Sequence, residues 1–196
     1  MMVADSNMST ALLVLSGGEG RRMDRQDKGL VELAGKPLIL HVLERFQEQV
    51  DQVLVSCHRH AEQYRDLGYE VVEDADAQHL GPLAGLASAA GRLNTDLTLV
   101  LPCDMPALPG NLLKRLQAKL EDADACLARV GDQDHFLVLL LRTRLLATVG
   151  PRLQMGDRSV RGWLNTMSVK RADFSNQEQA FINLNSTLDL HQYSSL

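Results

Sequence analysis

The stretch richest in possible chemistry is Leu15-Ser16-Gly17-Gly18-Glu19-Gly20-Arg21-Arg22-Met23, followed by Asp27-Lys28. Paired glycines let a backbone approach a ligand with no side chain in the way, and exposed N–H groups can hold phosphate oxygens. Arg22 and Lys28 add fixed positive charge beside them. Two generic phosphate motifs do not fit. Gly35-Lys36 is followed by Pro37 where a P-loop needs Ser or Thr, and Gly29 lies one residue too far away. The dinucleotide fingerprint also fails, because Gly18-x-Gly20 leads to Met23 where a third glycine belongs. A tight turn that binds nothing is the other reading of these glycines. Cys57, Cys103 and Cys126 form no C-x-x-C pair, and the six histidines include no H-E-x-x-H, so a disulfide scaffold and a dedicated zinc site are both unsupported.

Such a turn needs a strand before it, and the pattern supplies one. Residues 11–15 are continuously apolar and stop at the glycines, as a strand buried on both faces would. Helical spacing of Ile39, Val42, Leu43, Phe46 and Val50 follows from Pro37. Residues 53–55 read as a second strand, about 60–67 as a short helix closed by Gly68, and 70–72 as a third strand. Pro82 opens a helix through about residue 93, residues 97–101 form a strongly apolar strand, and a helix spans about 111–120. Alternation with short connections implies right-handed crossovers and a three-layer, Rossmann-like α/β fold with a mostly parallel sheet. Ligands of such sheets bind beyond the carboxyl ends of the strands. Beyond Asp122, apolar runs at 125–130 and 136–141 flank residues 131–134 and predict a hairpin or an antiparallel addition to the sheet. Helices near 143–154 and 158–166 and short strands around Val169 and at Phe181-Ile182 complete the chain.

The 196 residues are 45% hydrophobic, enough for one compact domain. We expect a flexible tail at 1–10 and a single domain at 11–196. Net charge is -5 but uneven: residues 1–128 hold 12 basic and 19 acidic side chains, whereas residues 129–171 hold 8 basic and 3 acidic. The acidic total argues against a general nucleic-acid binder. The arginines of 129–171 are either solvated faces or the meeting place of an anionic ligand. No segment approaches the roughly 20 apolar residues that span a bilayer. Arg21 and Arg22 follow the first apolar run where a signal peptide would put charge first, so the chain reads as cytoplasmic with a frayed start.

The run Leu-x-Gly-Gly-x-x-x-Arg-Met from Leu15, then Asp27-Lys28-Gly29-Leu30 and Leu33-x-Gly35-Lys36-Pro37-Leu38, resembles the signature of nucleotidyltransferases of the molybdenum cofactor guanylyltransferase (MobA) type. The likeness extends through Val71-Val72-Glu73-Asp74, Gly81-Pro82-Leu83-Ala84-Gly85, Pro102-Cys103-Asp104-Met105-Pro106, Asp134-His135 and Phe181-Ile182-Asn183-Leu184-Asn185. The resemblance implies a nucleotide-diphospho-sugar transferase-like fold with a nucleotide-binding half at 11–128 and a molybdopterin-binding half at 129–196. It also implies transfer of GMP from GTP to the molybdopterin (molybdenum) cofactor, with Mg²⁺ required and pyrophosphate released. Cofactor-biosynthesis proteins and molybdoenzyme-specific chaperones are the further partners it suggests; nucleic acid and membrane are not expected.

Carried over residue by residue, the resemblance puts Leu15, Gly17 and Gly18 against the nucleotide, Arg22 and Lys28 on the phosphates, and Asp74 on the guanosine moiety, with Gly81 and Gly85 shaping the pocket. Asp104 would emerge at the carboxyl edge of the sheet, where Mg²⁺ favours one or two carboxylates plus phosphate oxygens; a helix or turn cap near Pro106 is its plainer role. Asn183 and Asn185, alternating on a short strand, would send their amides to one side, toward the triphosphate or the second substrate, or else cap a helix. His135 matches the His of a family His-Pro pair assigned to the pterin side, although Phe136 follows it here. Relatives that transfer a cytidylyl group read Leu-Ala-Ala-Gly where this chain has Leu15-Ser16-Gly17-Gly18, which favours GTP over CTP. Asp24 replaces the family's usual Gly after Arg-Met, His58 stands where relatives often carry Asn, and Thr187 is not followed by Pro. A sister nucleotidyltransferase and a non-catalytic nucleotide-binding or cofactor-carrier module are the competing readings.

Overall fold

The computed structural model describes residues 8–16, 27–74, 81–186, 189, 190 and 193. Gly17, Gly18, Arg22 and Asp24 lie outside the described residues. β1 (Thr10–Ser16) is buried along its whole length. Its side chains alternate between two cores, with Leu12 and Val14 on one face of the sheet and Ala11, Leu13 and Leu15 on the other. That is the consequence of a period of two in a strand covered on both sides. Beyond a 3-10 turn (Lys28–Leu30), the two-residue strands β2 (Glu32–Leu33) and β3 (Lys36–Pro37) form a small antiparallel ribbon. α1 (Leu38–Phe46) follows directly and buries Leu38, Ile39, Val42, Leu43 and Phe46. β4 (Gln52–Cys57), α2 (Ala61–Asp66), β5 (Glu70–Glu73), α3 (Pro82–Ser88), β6 (Leu97–Pro102) and α4 (Leu112–Leu120) keep the predicted alternation. α3 stops at Ser88, five residues short of the expected end, and turns carry the chain onward.

The second half makes the expected antiparallel addition, inside the sheet. β7 (Ala125–Val130) and β8 (Gln133–Arg142) form the predicted hairpin around only Gly131 and Asp132, with Gly131 at φ +56°. β8 inserts between β6 and β7, so the main sheet runs β5-β4-β1-β6-β8-β7-β9, with β9 at Val169–Asp173. β8 is antiparallel to both neighbours, while β7 and β9 pair in parallel. A 3-10 segment (Thr143–Thr148), α5 (Val149–Gln154) and α6 (Val160–Leu164) cover the β8 face. There Trp163 is fully buried and donates its ring N–H to Thr148 Oγ1 at 3.0 Å. The predicted strand at Phe181-Ile182 is absent. A 3-10 segment ends at Phe181, and residues 182–185 have no ladder partner among the described residues; the Leu184 N–H bonds instead to the Asp104 carbonyl beyond β6. Among the described residues no helix is long and apolar enough to cross a membrane.

Register levels the strand ends. Ser16 pairs with Cys57, Cys57 with Glu73, and Leu15 with Pro102. Cys103 is therefore level with Ser16, and Asp74 and Asp104 each stand one residue beyond a common edge. The connections from β1 and from β6 leave toward opposite sides of the sheet order, which creates the crevice where ligands of open α/β sheets bind.

Candidate active site

Lys28, on the 3-10 turn that follows β1, reaches Asp104 beyond β6. Its Nζ lies 2.5 Å from Asp104 Oδ2 and 2.6 Å from Asn185 Oδ1. Asn183 donates its amide to the same Asp104 Oδ2 at 3.1 Å. Four residues singled out from sequence thus converge across separations of 76 and 157 positions. The amides converge without the expected strand: the Leu184 N–H donates to the Asp104 carbonyl at 2.9 Å, and Leu184 sits in a small core with Leu33, Leu38 and Leu190. Flanking an anchored, buried residue, both amides reach the same cluster. Asp104 is only 8% exposed. It serves no helix as a cap, and its Oδ1 is buried without a hydrogen-bond partner among the described residues. An unpaired buried carboxylate oxygen is costly unless something positive meets it. One carboxylate with a free oxygen, beside a lysine that can hold phosphate, fits the donor set of Mg²⁺, which takes its remaining ligands from phosphate and water. No cluster of three or more His, Cys, Asp or Glu side chains among the described residues offers an all-protein cage.

A second group lies across β1. Ser56 Oγ donates to Asp74 Oδ1 at 2.7 Å, and the Asp74 N–H donates to the Cys57 carbonyl at 2.9 Å. Burial pushes the Asp74 carboxyl above its ordinary range, against the Ser56 hydrogen bond and the nearby His58, which both pull it down. Gly81 begins α3 at φ +71°, a backbone state that favours glycine. Gly85 faces inward: a Cβ there would come 2.5 Å from Ser56 Oγ and 2.9 Å from Leu15 Cδ2. Leu15 is in the core at the end of β1, and its carbonyl accepts the Cys103 N–H at 3.1 Å.

His135 packs its ring 5.0 Å from that of Phe181, directly before the segment carrying Asn183, and burial lowers its pKa. The basic stretch largely spends its charge internally. Arg129 and Arg171 bracket Asp134 at 2.8 and 3.0 Å, Arg152 pairs with Asp157, Arg144 with Asp124 and Lys170 with Glu121. Arg142 donates to the carbonyls of Glu121 and Ala123. Arg158 and Arg161 are exposed and have no carboxylate partner among the described residues; the Arg161 guanidinium lies 6.0 Å from the Phe136 ring centroid.

A family profile described as the MobA-like NTP transferase domain matches residues 12–172. The chain belongs to this family. Among MobA-like relatives, the molybdenum cofactor guanylyltransferase of Shewanella sediminis is 39% identical over 184 residues, covering 93% of this chain and 94% of that protein. The enzyme of the same name from Shewanella frigidimarina is 41% identical over 175 residues, 88% of this chain and 89% of its own. The crystal structure of molybdopterin-guanine dinucleotide biosynthesis protein A from Archaeoglobus fulgidus superposes with a TM-score of 0.75 at 24% identity, over 94% of this chain and 97% of that one. The MobA-like fold is thereby shared across the whole sheet.

Ser56, which orients Asp74, was not singled out from the sequence. Neither was Tyr64, which links Asp27 and Ser16, two motif residues to which no role was given. A signal existed for the serines: Ser16 and Ser56 are polar residues at the carboxyl ends of otherwise apolar buried runs, where a buried hydroxyl needs a partner.

Proposed function

We propose that the chain is a molybdenum cofactor guanylyltransferase, transferring GMP from GTP to the molybdopterin cofactor and releasing pyrophosphate. The observation that carries this reading is the Lys28–Asp104 pair with its two asparagine amides, a cation and an incompletely satisfied carboxylate at the carboxyl edge of a MobA-like sheet. An oxygen of the cofactor's phosphate attacks the α-phosphorus of GTP, a new P–O bond forms, and the bond to the β-phosphate oxygen breaks as pyrophosphate leaves. The attacking group is already an anion, so no side chain has to remove a proton. Lys28 turns its ammonium to the phosphates, and Gly17, Gly18 and Arg22 add donors in the same reading. Asp104 would hold Mg²⁺, which when bound would supply neutralisation of the charge that shifts onto the phosphate oxygens. The Asn183 amide donates toward the phosphates while Asn185 keeps Lys28 in place.

With Oδ1 occupied by Ser56, Asp74 keeps its other oxygen to accept from N1–H and the 2-amino group of guanine. Cytosine offers only one amino donor on that edge, so an ionised Asp74 favours GTP. Within residues 129–171, Arg158 and Arg161, which have no carboxylate partner among the described residues, are the cations assigned to the phosphate of the pterin. This reading assigns the reaction to the cytoplasm and passes the product to cofactor-biosynthesis proteins and molybdoenzyme-specific chaperones.

Pyrophosphate release is measured with molybdopterin, Mg²⁺ and either GTP or CTP. GTP should turn over and CTP should not, and Asp104→Ala should lose about 10²–10³-fold in rate, the size of a lost charge-stabilising contact. Turnover with CTP alone would overturn the substrate, and near-normal rates for Asp104→Ala at saturating Mg²⁺ would overturn the metal role.

A further inference from the structure

One buried polar chain takes no part in the reaction as derived above. Tyr64 OH donates to Asp27 Oδ1 at 2.5 Å, and Ser16 Oγ lies 2.5 Å from the same Tyr64 oxygen. Since the phenolic proton points at the carboxylate, the Ser16 hydroxyl donates to Tyr64. Asp27 Oδ1 also accepts the Gly29 N–H at 3.2 Å and so caps the 3-10 turn on which Lys28 sits. The ring of Tyr64, on α2, is buried in the core. Burial pushes the Tyr64 hydroxyl well above its ordinary range, so it remains a donor, and burial also raises the Asp27 carboxyl against the pull of the Tyr64 bond. Gly29 packs so tightly here that a Cβ would collide with both Ser16 Oγ and Tyr64 OH.

Two hydroxyls and a carboxylate are an expensive way to fill a core, because each must be desolvated and then paired. Apolar side chains in place of all three groups would pack as well at lower cost. What the polar chain adds is direction. It ties the last residue of β1 and the middle of α2 to the residue next to Lys28, and Lys28 must set one ammonium within 2.6 Å of two acceptors from distant segments. Displacement of a contact group by about 1 Å is enough to cost large factors in rate.

We propose that Tyr64 is a positioning residue for Lys28: through the Asp27 carboxylate, its hydroxyl fixes the turn from which the ammonium meets a nucleotide phosphate. This rests on the reading of Lys28 as a phosphate contact. The test is a double-mutant cycle of Tyr64→Phe and Lys28→Met, read as nucleotide affinity, kcat/KM for guanylyl transfer, and Tm. Tyr64→Phe keeps the ring and should lower affinity and kcat/KM by about tenfold, the order of one lost hydrogen bond to a charged group. On the Lys28→Met background it should change neither, while Tm falls equally on both backgrounds. Equal losses on both backgrounds, or wild-type affinity and kcat/KM for Tyr64→Phe, would overturn the proposal. Should Tyr64→Phe not fold, Ser16→Ala releases the same hydroxyl from its other end and is read in the same cycle. The affinity arm uses whichever of GTP and CTP binds the wild type, so a failed transfer assay would reject the guanylyltransferase reading while leaving the role of Tyr64 decided by affinity.

Discussion

Asp74 meets two demands that oppose each other. To accept from a guanine edge, as proposed, it must be ionised, yet burial holds its carboxyl above the ordinary range. A carboxyl whose folded pKa is raised above its unfolded value contributes stability that is fully present below the unfolded pKa and is lost as pH rises through the folded pKa. At neutral pH the ionised group therefore lowers stability. Asp74→Asn keeps an acceptor for Ser56 and removes the buried charge, so its Tm should exceed that of wild type at pH 7. The gap should close as pH falls through the Asp74 titration. The same variant should lose about 10²-fold in kcat/KM for GTP, since the amide presents a donor where guanine needs an acceptor. A thermal melt series from pH 3 to 8 checks the first expectation; a variant less stable than wild type at pH 7 would contradict it. A motif nominated Asp74, but its orientation was not legible, because Ser56 comes from another strand 18 residues away.

Helix α3 shows how an element packs against the strands that carry the candidate site. Gly81 allows the backbone to enter the helix from a left-handed state, Pro82 occupies the first helical position, and Gly85 brings the helix against β1 and β4. Gly85→Ala would press a methyl group on Ser56 Oγ and Leu15 Cδ2 together. Overpacking of this kind costs about 1–3 kcal/mol, or a Tm fall of about 3–10 °C for a chain of this size. Displacing Ser56 should also weaken GTP binding with little change in cofactor affinity; retention of both Tm and GTP affinity would show that the contact yields. The segment carrying Asn183 and Asn185 makes the opposite point. Its alternation read as a strand, but what orients the amides is Leu184 buried between them and the Leu184–Asp104 backbone bond.

Charge acts across the whole molecule. Of the eight cations in residues 129–171, five pair with carboxylates and Arg142 donates to backbone carbonyls. Exposed pairs of this kind each contribute only about 0–1 kcal/mol, but they remove those arginines as free ligands. Arg158 and Arg161, on the α6 side of β8, keep the positive field of the stretch. Reversing both to Glu should weaken molybdopterin binding and its salt dependence while leaving GTP affinity within about twofold, since screening confines their field to roughly 8–10 Å. Isothermal titration with each ligand separates the two effects, and unchanged cofactor affinity would return the stretch to ordinary surface.

The alternation of apolar runs with turn residues was sufficient to specify a mostly parallel α/β sheet, since a strand covered on both faces must be apolar throughout, as β1 and β6 are. The motifs were sufficient to nominate Lys28, Asp74, Asp104, Asn183 and Asn185. Three-dimensional packing decided that β8 inserts between β6 and β7, that six of eight basic side chains are spent internally, and that Ser16, Tyr64 and Asp27 form one chain. Periodicity encodes which face of an element is buried, and that is a local property. Which polar atoms come within 3 Å of one another depends on the order of strands and on the register between elements far apart in the chain.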